Sequence, residues 1–489
     1  MSSEKPAFAS SSHAPSVSSP GCLDIFRAIF NNSSNDNTAD EKTTSEFPRD
    51  SASDDDASTP LIPTYEGLEA QMRDLLVDQD NNSELLELCK GNEFAKTVFH
   101  AIEKVSKELR EISLKIHEEP ELAFKEYKAH ALLTDYLEKK GFKVERKAFG
   151  LDTAFVARAG KSDKVTIGFC SEYDALPGIG HGCGHNLIAI AGVAAAIGVK
   201  AAIKKFGLHA QVKLFGTPAE ETTGGKIVML ERGAFKNVDV CMMLHGANAD
   251  LSYPAFLALD TAEVEFFGKA SHASATPWEG VNALDAAIMT YTSIGLMRQQ
   301  LHPTQRVHGI IKDGGKAANI IPDYTLSQYT VRALKYSELM VLKKRVEAIF
   351  NAAARSTGCT VSIKWGVPYK DILTNSVLTQ KFEHYMKAQG AKYLPKEEQL
   401  RKVGGSTDMG NLTYALPGIH PVFNILNLES KDVNVALHTR AFAEAAMQPI
   451  AHTATLRAAK CLAMTGVECI LDRKLLQKVK KEFEENKEK

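Results

Sequence analysis

Val165-Thr166-Ile167-Gly168-Phe169-Cys170, then Gly180-His181-Gly182-Cys183-Gly184-His185-Asn186, then an alanine-rich run from Ile188 to Ala202, follow one another in the chain. Their order decides the fold. A continuous apolar run, a glycine-rich turn and a long apolar segment read as buried strand, loop and helix. The turn offers a thiolate and an imidazole two residues apart. Together they suit a borderline-soft divalent ion such as Zn²⁺, and imidazole also suits its transition-metal neighbours. They fall at the carboxyl end of a strand, where open α/β sheets bind their ligands.

Outward from this unit the alternation continues. We expect strand 165–170, helix 187–205, strand 211–216, a helix near 225–232 and strand 238–244. These runs are continuously apolar, which marks a parallel sheet covered on both faces. Before them, Val98, Ile102, Val105, Leu109, Ile112 and Ile116 recur at helical spacing, so one helix is expected over 96–118. A second should end at Lys140, before Gly141. Residues 257–365 read as strand 259–268, helix 280–299, strands 305–313 and 324–334, helix 336–354 and strand 359–365. That β-α-β-β-α-β order is the ferredoxin-like unit, inserted into the first domain. The α/β pattern then resumes with helix 375–389, strand 421–426 and one long helix from about 438 to 464.

The expected organisation is a disordered segment over 1–64, an α/β domain over 65–256 and 367–466, the insert over 257–366, and a C-terminal tail over 467–489 whose Lys/Glu-rich end, roughly 472–489, reads as a solvated helix or frayed tail. Residues 1–60 carry ten acidic and four basic residues among Ser, Thr, Asn and Pro. Such a stretch buries too little apolar surface to offset its ordering entropy. Helical patterning begins near Tyr65, with a helix expected around 66–92. With net charge −2, the 489-residue chain presents no basic face for nucleic acid and no attraction to anionic membranes. No apolar run reaches the length of a membrane span. The eight cysteines follow no regular spacing and read as reduced thiols of a cytoplasmic protein.

Four polar sites sit near strand or helix ends: Cys183/His185, Thr217-Pro218-Ala219-Glu220-Glu221, His245 and His438. Each has a plain reading: a solvated glutamate pair, a buried thiol, a hydrogen-bonded surface histidine. Their coincidence favours chemistry. Adjacent loop glutamates point different ways, so one can ligate an ion while the other takes a proton from water. Asp174, in Glu172-Tyr173-Asp174-Ala175-Leu176-Pro177, is placed to orient a ligand from behind.

With Asp174 to Pro177, Cys183 to His185, Glu220-Glu221, His245 and His438 in this order, the chain resembles the M20 metallopeptidases, in their amidohydrolase-like branch. Pro120-Glu121 and Gly314-Gly315 through Asn319-Ile320-Ile321-Pro322 also look like family segments. The likeness covers about residues 95–465. It implies a doubly wound zinc-peptidase-like catalytic domain with the insert as dimerisation lid. It implies two divalent ions, Zn²⁺ or Mn²⁺, held by Cys183, His185, Glu221, His245 and His438, with Glu220 as general base. It further implies that His272 reaches the partner subunit's site of a homodimer and stabilises the oxyanion. Asn319 and Arg332 would hold a substrate carboxylate, although spacing alone equally allows Arg332 a structural ion pair. Two departures stand out: Asn186 where the branch has aspartate, and Gly182 where alanine is usual, which should loosen the turn. The expected activity is hydrolysis of the amide bond of dipeptides or N-acyl amino acids. A carboxypeptidase of longer peptides and a non-catalytic dimeric scaffold are the alternatives.

Overall fold

The computed structural model describes residues 93–161, 164–402, 404–426 and 435–487. The segment expected to be disordered, its short apolar patch Cys22–Phe30 and the helix expected around 66–92 lie outside the described residues.

The helix after the Cys-Gly-His turn spans His185–Phe206 and is buried nearly all round. Such a helix belongs at the centre of a large core. It is long and apolar enough to cross a membrane by composition, and 89% of that window is buried inside the protein. It lies tight on its strand: a Cβ at Gly192 would come within 2.3 Å of Ser171 Oγ.

The strands are β1 (Lys143–Arg146), β2 (Phe155–Gly160), β3 (Val165–Ser171), β4 (Ala210–Gly216), β5 (Val240–Met242) and β6 (His245–Ala247). In the insert they are β7 (Ala258–Phe267), β8 (Arg306–Asp313), β9 (Tyr324–Ala333) and β10 (Thr360–Trp365). β11 (Gly418–Ile419) and β12 (Val422–Asn424) follow. One sheet runs β1-β2-β4-β3-β5-β11. Its strands feed cores on both faces, Ile167 and Phe169 on one side and Cys170 and Cys241 on the other.

The sheet is mixed rather than wholly parallel. β4, β3, β5 and β11 are parallel, but β2 pairs antiparallel with β4 and β1 with β2. β1 has only Val144 as an apolar residue, so the edge hairpin gives no buried-strand signal. The expected strand 238–244 is observed as the shorter β5, and a further strand, β6, begins at His245 and pairs with β12 in a separate two-stranded sheet. Pro421, between β11 and β12 in the chain, has no N–H to donate to the facing strand, and the pairing is interrupted there. The helix expected over 96–118 divides into Glu93–Glu103 and Ser106–Glu118, yet its six apolar positions all stay buried. The long helix expected from 438 is also two, Arg440–Ala446 and Pro449–Leu471, with Pro449 opening the second. The C-terminal segment is a helix, one of its two expected forms, but not a wholly solvated one. Helix Arg473–Lys487 buries Leu475, Leu476, Val479 and Phe483. Its Glu482 accepts the N–H groups of Ser376 and Val377, at the start of helix Ser376–Lys387.

The insert forms a four-stranded antiparallel sheet, β10-β7-β9-β8. Helices Ala283–Met297 and Tyr336–Thr357 supply Ala286, Ile294, Leu342 and Phe350 to its core. β8 is an edge, with Ile310 exposed, and helix Ala283–Met297 exposes Ile288, Tyr291 and Leu296.

Candidate metal centre

The turn before the central helix is shaped by its glycines. Gly184 caps the helix at φ +77°, where a side chain would be strained. Gly182 does not loosen the turn as expected. A Cβ there would come within 2.6 Å of Ile179, and its carbonyl accepts the N–H of His438 at 2.8 Å. The residue that lacks a side chain thus ties Cys183 to the segment bearing His438.

The glutamate loop is fixed at nearly every backbone polar group. Ala219 has φ +60°. Its N–H donates to Glu126 at 3.0 Å, and its carbonyl accepts from Gly224 and Gly225. Tyr369 OH donates to the Glu220 carbonyl at 2.8 Å, and the Glu221 N–H donates to Asp174 Oδ2 at 3.0 Å. A loop held this way presents both carboxylates without reorganisation.

The five residues of the expected ligand set gather here. Cys183 Sγ lies 3.4 Å from His245 Nε2, and Glu221 Oε1 lies 3.8 Å from His185 Nε2 and 3.6 Å from His438 Nε2. Cys183, His185 and His245 form one group able to hold an ion, and Cys183, Glu221 and His438 a second, so the thiol is common to both. Asp174 stands behind: its Oδ1 accepts from His185 Nδ1 at 3.1 Å, which turns Nε2 toward the cluster. The Gly246 carbonyl does the same for His245, accepting from Nδ1 at 2.7 Å.

Divalent cations fit this donor set. His185 Nε2, Glu221 Oε1 and Glu172 Oε2 are buried without a hydrogen-bond partner. Unmade bonds at buried polar atoms are costly, and an ion within reach of all three would satisfy them. Burial, with Glu172 and Glu221 close by, pushes the Glu220 carboxyl well above its usual range, and burial pushes the Cys183 thiol up. Positive charge in the cluster reverses both tendencies.

A cavity of about 230 Å³ opens over the cluster. Cys183, Glu220, Glu221, His245 and His438 line one side. Arg332 of β9 and Leu259 of β7 reach it from the insert, and Phe256, Leu251 and Leu437 add apolar wall. Arg332 donates to Ser406 Oγ at 3.2 Å and pairs with no carboxylate among the described residues. His272 and Asn319 do not line the cavity. They lie on two exposed loops of the insert, 268–282 and 314–323, which are joined where the Ala273 N–H donates to the Asn319 carbonyl. His272 Nδ1 accepts from the N–H groups of Ser274 and Ala275 at 3.3 Å, so its ring proton sits on Nε2 and faces outward as a donor.

Sequence reasoning missed the floor of the site. Lys226 Nζ is buried between Glu172 Oε1 and Asp408 Oδ1, the latter at 2.7 Å, and its backbone N–H donates to Asp408 Oδ2 at 2.8 Å. Both Asp408 oxygens are thus spent on Lys226, one on its ammonium and one on a free N–H in the first turn of helix Gly225–Glu231. Burial opposes the charge of Glu172, but Lys226 overrides it and holds the carboxyl at about 2. The available signal was Glu172-Tyr173-Asp174, two carboxylates on alternate positions after a buried strand.

Residues 258–358 match the peptidase dimerisation domain family. The Xaa-Arg dipeptidase of Mus musculus is 43% identical over 394 residues, 78% of this chain and 90% of that protein. That of Homo sapiens is 41% identical over 400 residues, with the same shares of each chain. This chain belongs to the M20 metallopeptidase family. Its fold is shared with a dinuclear metal binding peptidase of the M20 family from Bacillus subtilis: TM-score 0.54, 20% identity, 74% of this chain and 98% of that one. The chain is a metal-dependent hydrolase of the dipeptidase and amidohydrolase class.

Proposed function

We propose that this M20 hydrolase is a two-metal dipeptidase, with Cys183 shared between the ions and Glu220 as general base. The observation that carries the reading is the pair of ligand groups meeting at one thiol, beneath a cavity that Arg332 also lines. Zn²⁺ or Mn²⁺ ions held by Cys183, His185, Glu221, His245 and His438 would polarise the scissile carbonyl and lower the pKa of a water. Glu220 takes the proton of that water and passes it to the leaving amine. Asp174 keeps His185 in its ligating tautomer. The Arg332 fork receives the substrate carboxylate, since its geometry matches two oxygens.

The insert acts as the dimerisation lid, with edge strand β8 and the exposed face of helix Ala283–Met297 as its contact surface. His272 then supplies an Nε2–H donor to a developing oxyanion in the partner's site, with Asn319 beside it on the adjoining loop. The six cysteines among the described residues are unpaired, which suits a reducing, cytoplasmic setting.

For substrate class, the two dipeptidase relatives favour Xaa-Arg dipeptides, with β-alanyl-lysine as a close analogue. The carboxylates lining the cavity are Glu220 and Glu221. A panel of dipeptides and tripeptides with varied C-terminal residues, assayed after chelation and again after Mn²⁺ or Zn²⁺ is restored, tests the reading. Metal-dependent cleavage confined to dipeptides supports it. Cleavage of tripeptides at equal rates favours a carboxypeptidase, and no metal-dependent cleavage overturns it.

A further inference from the structure

We propose that Glu172 is a further ligand of the cation held by His185, and that Lys226 is the residue that positions it. The inference rests on reading the Cys183 cluster as a metal centre.

Glu172 is fully buried directly after β3. Its two oxygens have different fates. Oε1 is taken by the Lys226 ammonium, which Asp408 holds from the other side. Oε2 has no partner at all. It lies 3.5 Å from His185 Nε2, which is itself partnerless because Nδ1 is committed to Asp174. A tetrahedral ion with bonds of about 2.1 Å keeps its ligand atoms about 3.4 Å apart. The Glu172–His185 separation is therefore that of two ligands on one ion, as is the 3.4 Å between Cys183 Sγ and His245 Nε2. No side chain hydrogen-bonded to Oε2 needs to be displaced for Glu172 to coordinate.

Lys226 explains why the carboxylate points that way. Glu172, Glu220 and Asp408 themselves bring three carboxylates within reach of one ion, and the ammonium already neutralises two of them. A carboxylate anchored through one oxygen can offer only the other. Lys226 acts through Glu172 and is a positioning residue.

The test uses the full chain and cobalt as the probe. Wild type, Glu172→Gln and Glu172→Asp are stripped, titrated with Co²⁺, and followed by visible absorption and chelator competition. Glu172→Gln leaves Lys226 paired with Asp408. Glu172→Asp keeps the charge but withdraws the free oxygen by one methylene. Both variants should bind one Co²⁺ about 10- to 100-fold more weakly, with altered absorption bands, while the other ion keeps its affinity. Wild-type affinity and bands in Glu172→Gln would overturn the proposal. So would full affinity in Glu172→Asp, which a purely electrostatic role allows. Should a variant not fold, a crystal structure of zinc-loaded wild type decides. A Glu172 oxygen at about 2.0–2.2 Å from the ion supports the proposal, and one beyond about 3 Å overturns it. None of these readouts uses substrate. A chain that binds two ions and cleaves no dipeptide sinks the dipeptidase reading and leaves Glu172 standing, whereas a chain that binds no ion sinks both.

Discussion

The two layers of this molecule hold their polar residues in opposite ways. In the α/β layer, Glu172, Asp174, His185, Asp408 and Lys226 are almost wholly buried, and the loop bearing Glu220 is fastened by Glu126, Tyr369 and Asp174. In the insert, His272 and Asn319 stand on two adjoining exposed loops outside the cavity. Only Arg332 and Leu259 reach the cavity from that side. The difference teaches a division of tasks. Residues that must hold ions at fixed spacing are preorganised by burial, at the cost of desolvating charge. On the proposed reading, the groups that would meet a substrate or a second subunit are the ones left exposed.

Losing a shared ligand should break the buried layer most severely. Cys183→Ala is expected to lower metal content below two ions per chain and to abolish turnover, measured by elemental analysis beside a dipeptide assay. Glu220→Gln should separate binding from chemistry in the same layer: both ions retained, kcat down by about 10²–10⁴. A variant that loses its metal would reassign Glu220 as a ligand.

The insert is tested next. His272→Ala should lower kcat by about 10²–10³ with metal content unchanged, the loss expected of one oxyanion donor. Mixing His272→Ala chains with Glu220→Gln chains should restore activity if the donor acts across a dimer. No recovery on mixing would confine the histidine to its own chain.

Acid should separate the layers too. His452, against Ser106 and near Arg110, is buried, and burial pulls its pKa down to about 4. The unfolded chain takes up that proton near 6.5, the folded one only near 4. Its contribution to stability is thus complete above pH 6.5 and lost as pH falls toward 4. His452→Gln should flatten the pH dependence of the unfolding free energy in that window, by an amount of order 3 kcal/mol. An unchanged slope would mean that His452 is not kept neutral. The smallest effect belongs to Tyr369→Phe, which removes the hydroxyl held by the Glu220 carbonyl. About 1 kcal/mol of stability and a few-fold in kcat are expected.

How much of this was legible beforehand varies residue by residue. Cys183 and His185 announced themselves because ligand spacing, glycine turn and flanking apolar runs lie within one stretch of sequence. Glu220-Glu221, His245 and His438 were legible by order, since strand ends of an α/β sheet share one rim. Lys226, Glu172 and Asp408 were not, because three distant stretches become neighbours only when the sheet closes, and a lysine near a helix start ordinarily reads as solvated. Glu126 was hidden in the same way. The edge strand Lys143–Arg146 escaped because a polar edge lacks the apolar signal of a central strand, and the interior strand Phe155–Gly160 because its apolar run is short and ends at Arg158. The C-terminal helix carried its stripe at Leu475, Leu476, Val479 and Phe483 in plain view, masked by the lysines and glutamates around it.

One experiment bears on the central claim most directly. The purified chain is stripped by chelator and titrated with Zn²⁺ or Mn²⁺ while bound metal and Xaa-Arg hydrolysis are followed together. Activity that rises to a plateau at two ions per chain, and that Cys183→Ala never reaches, is the expected result. Full hydrolysis by metal-free protein, or a plateau with Cys183→Ala equal to wild type, would contradict the account.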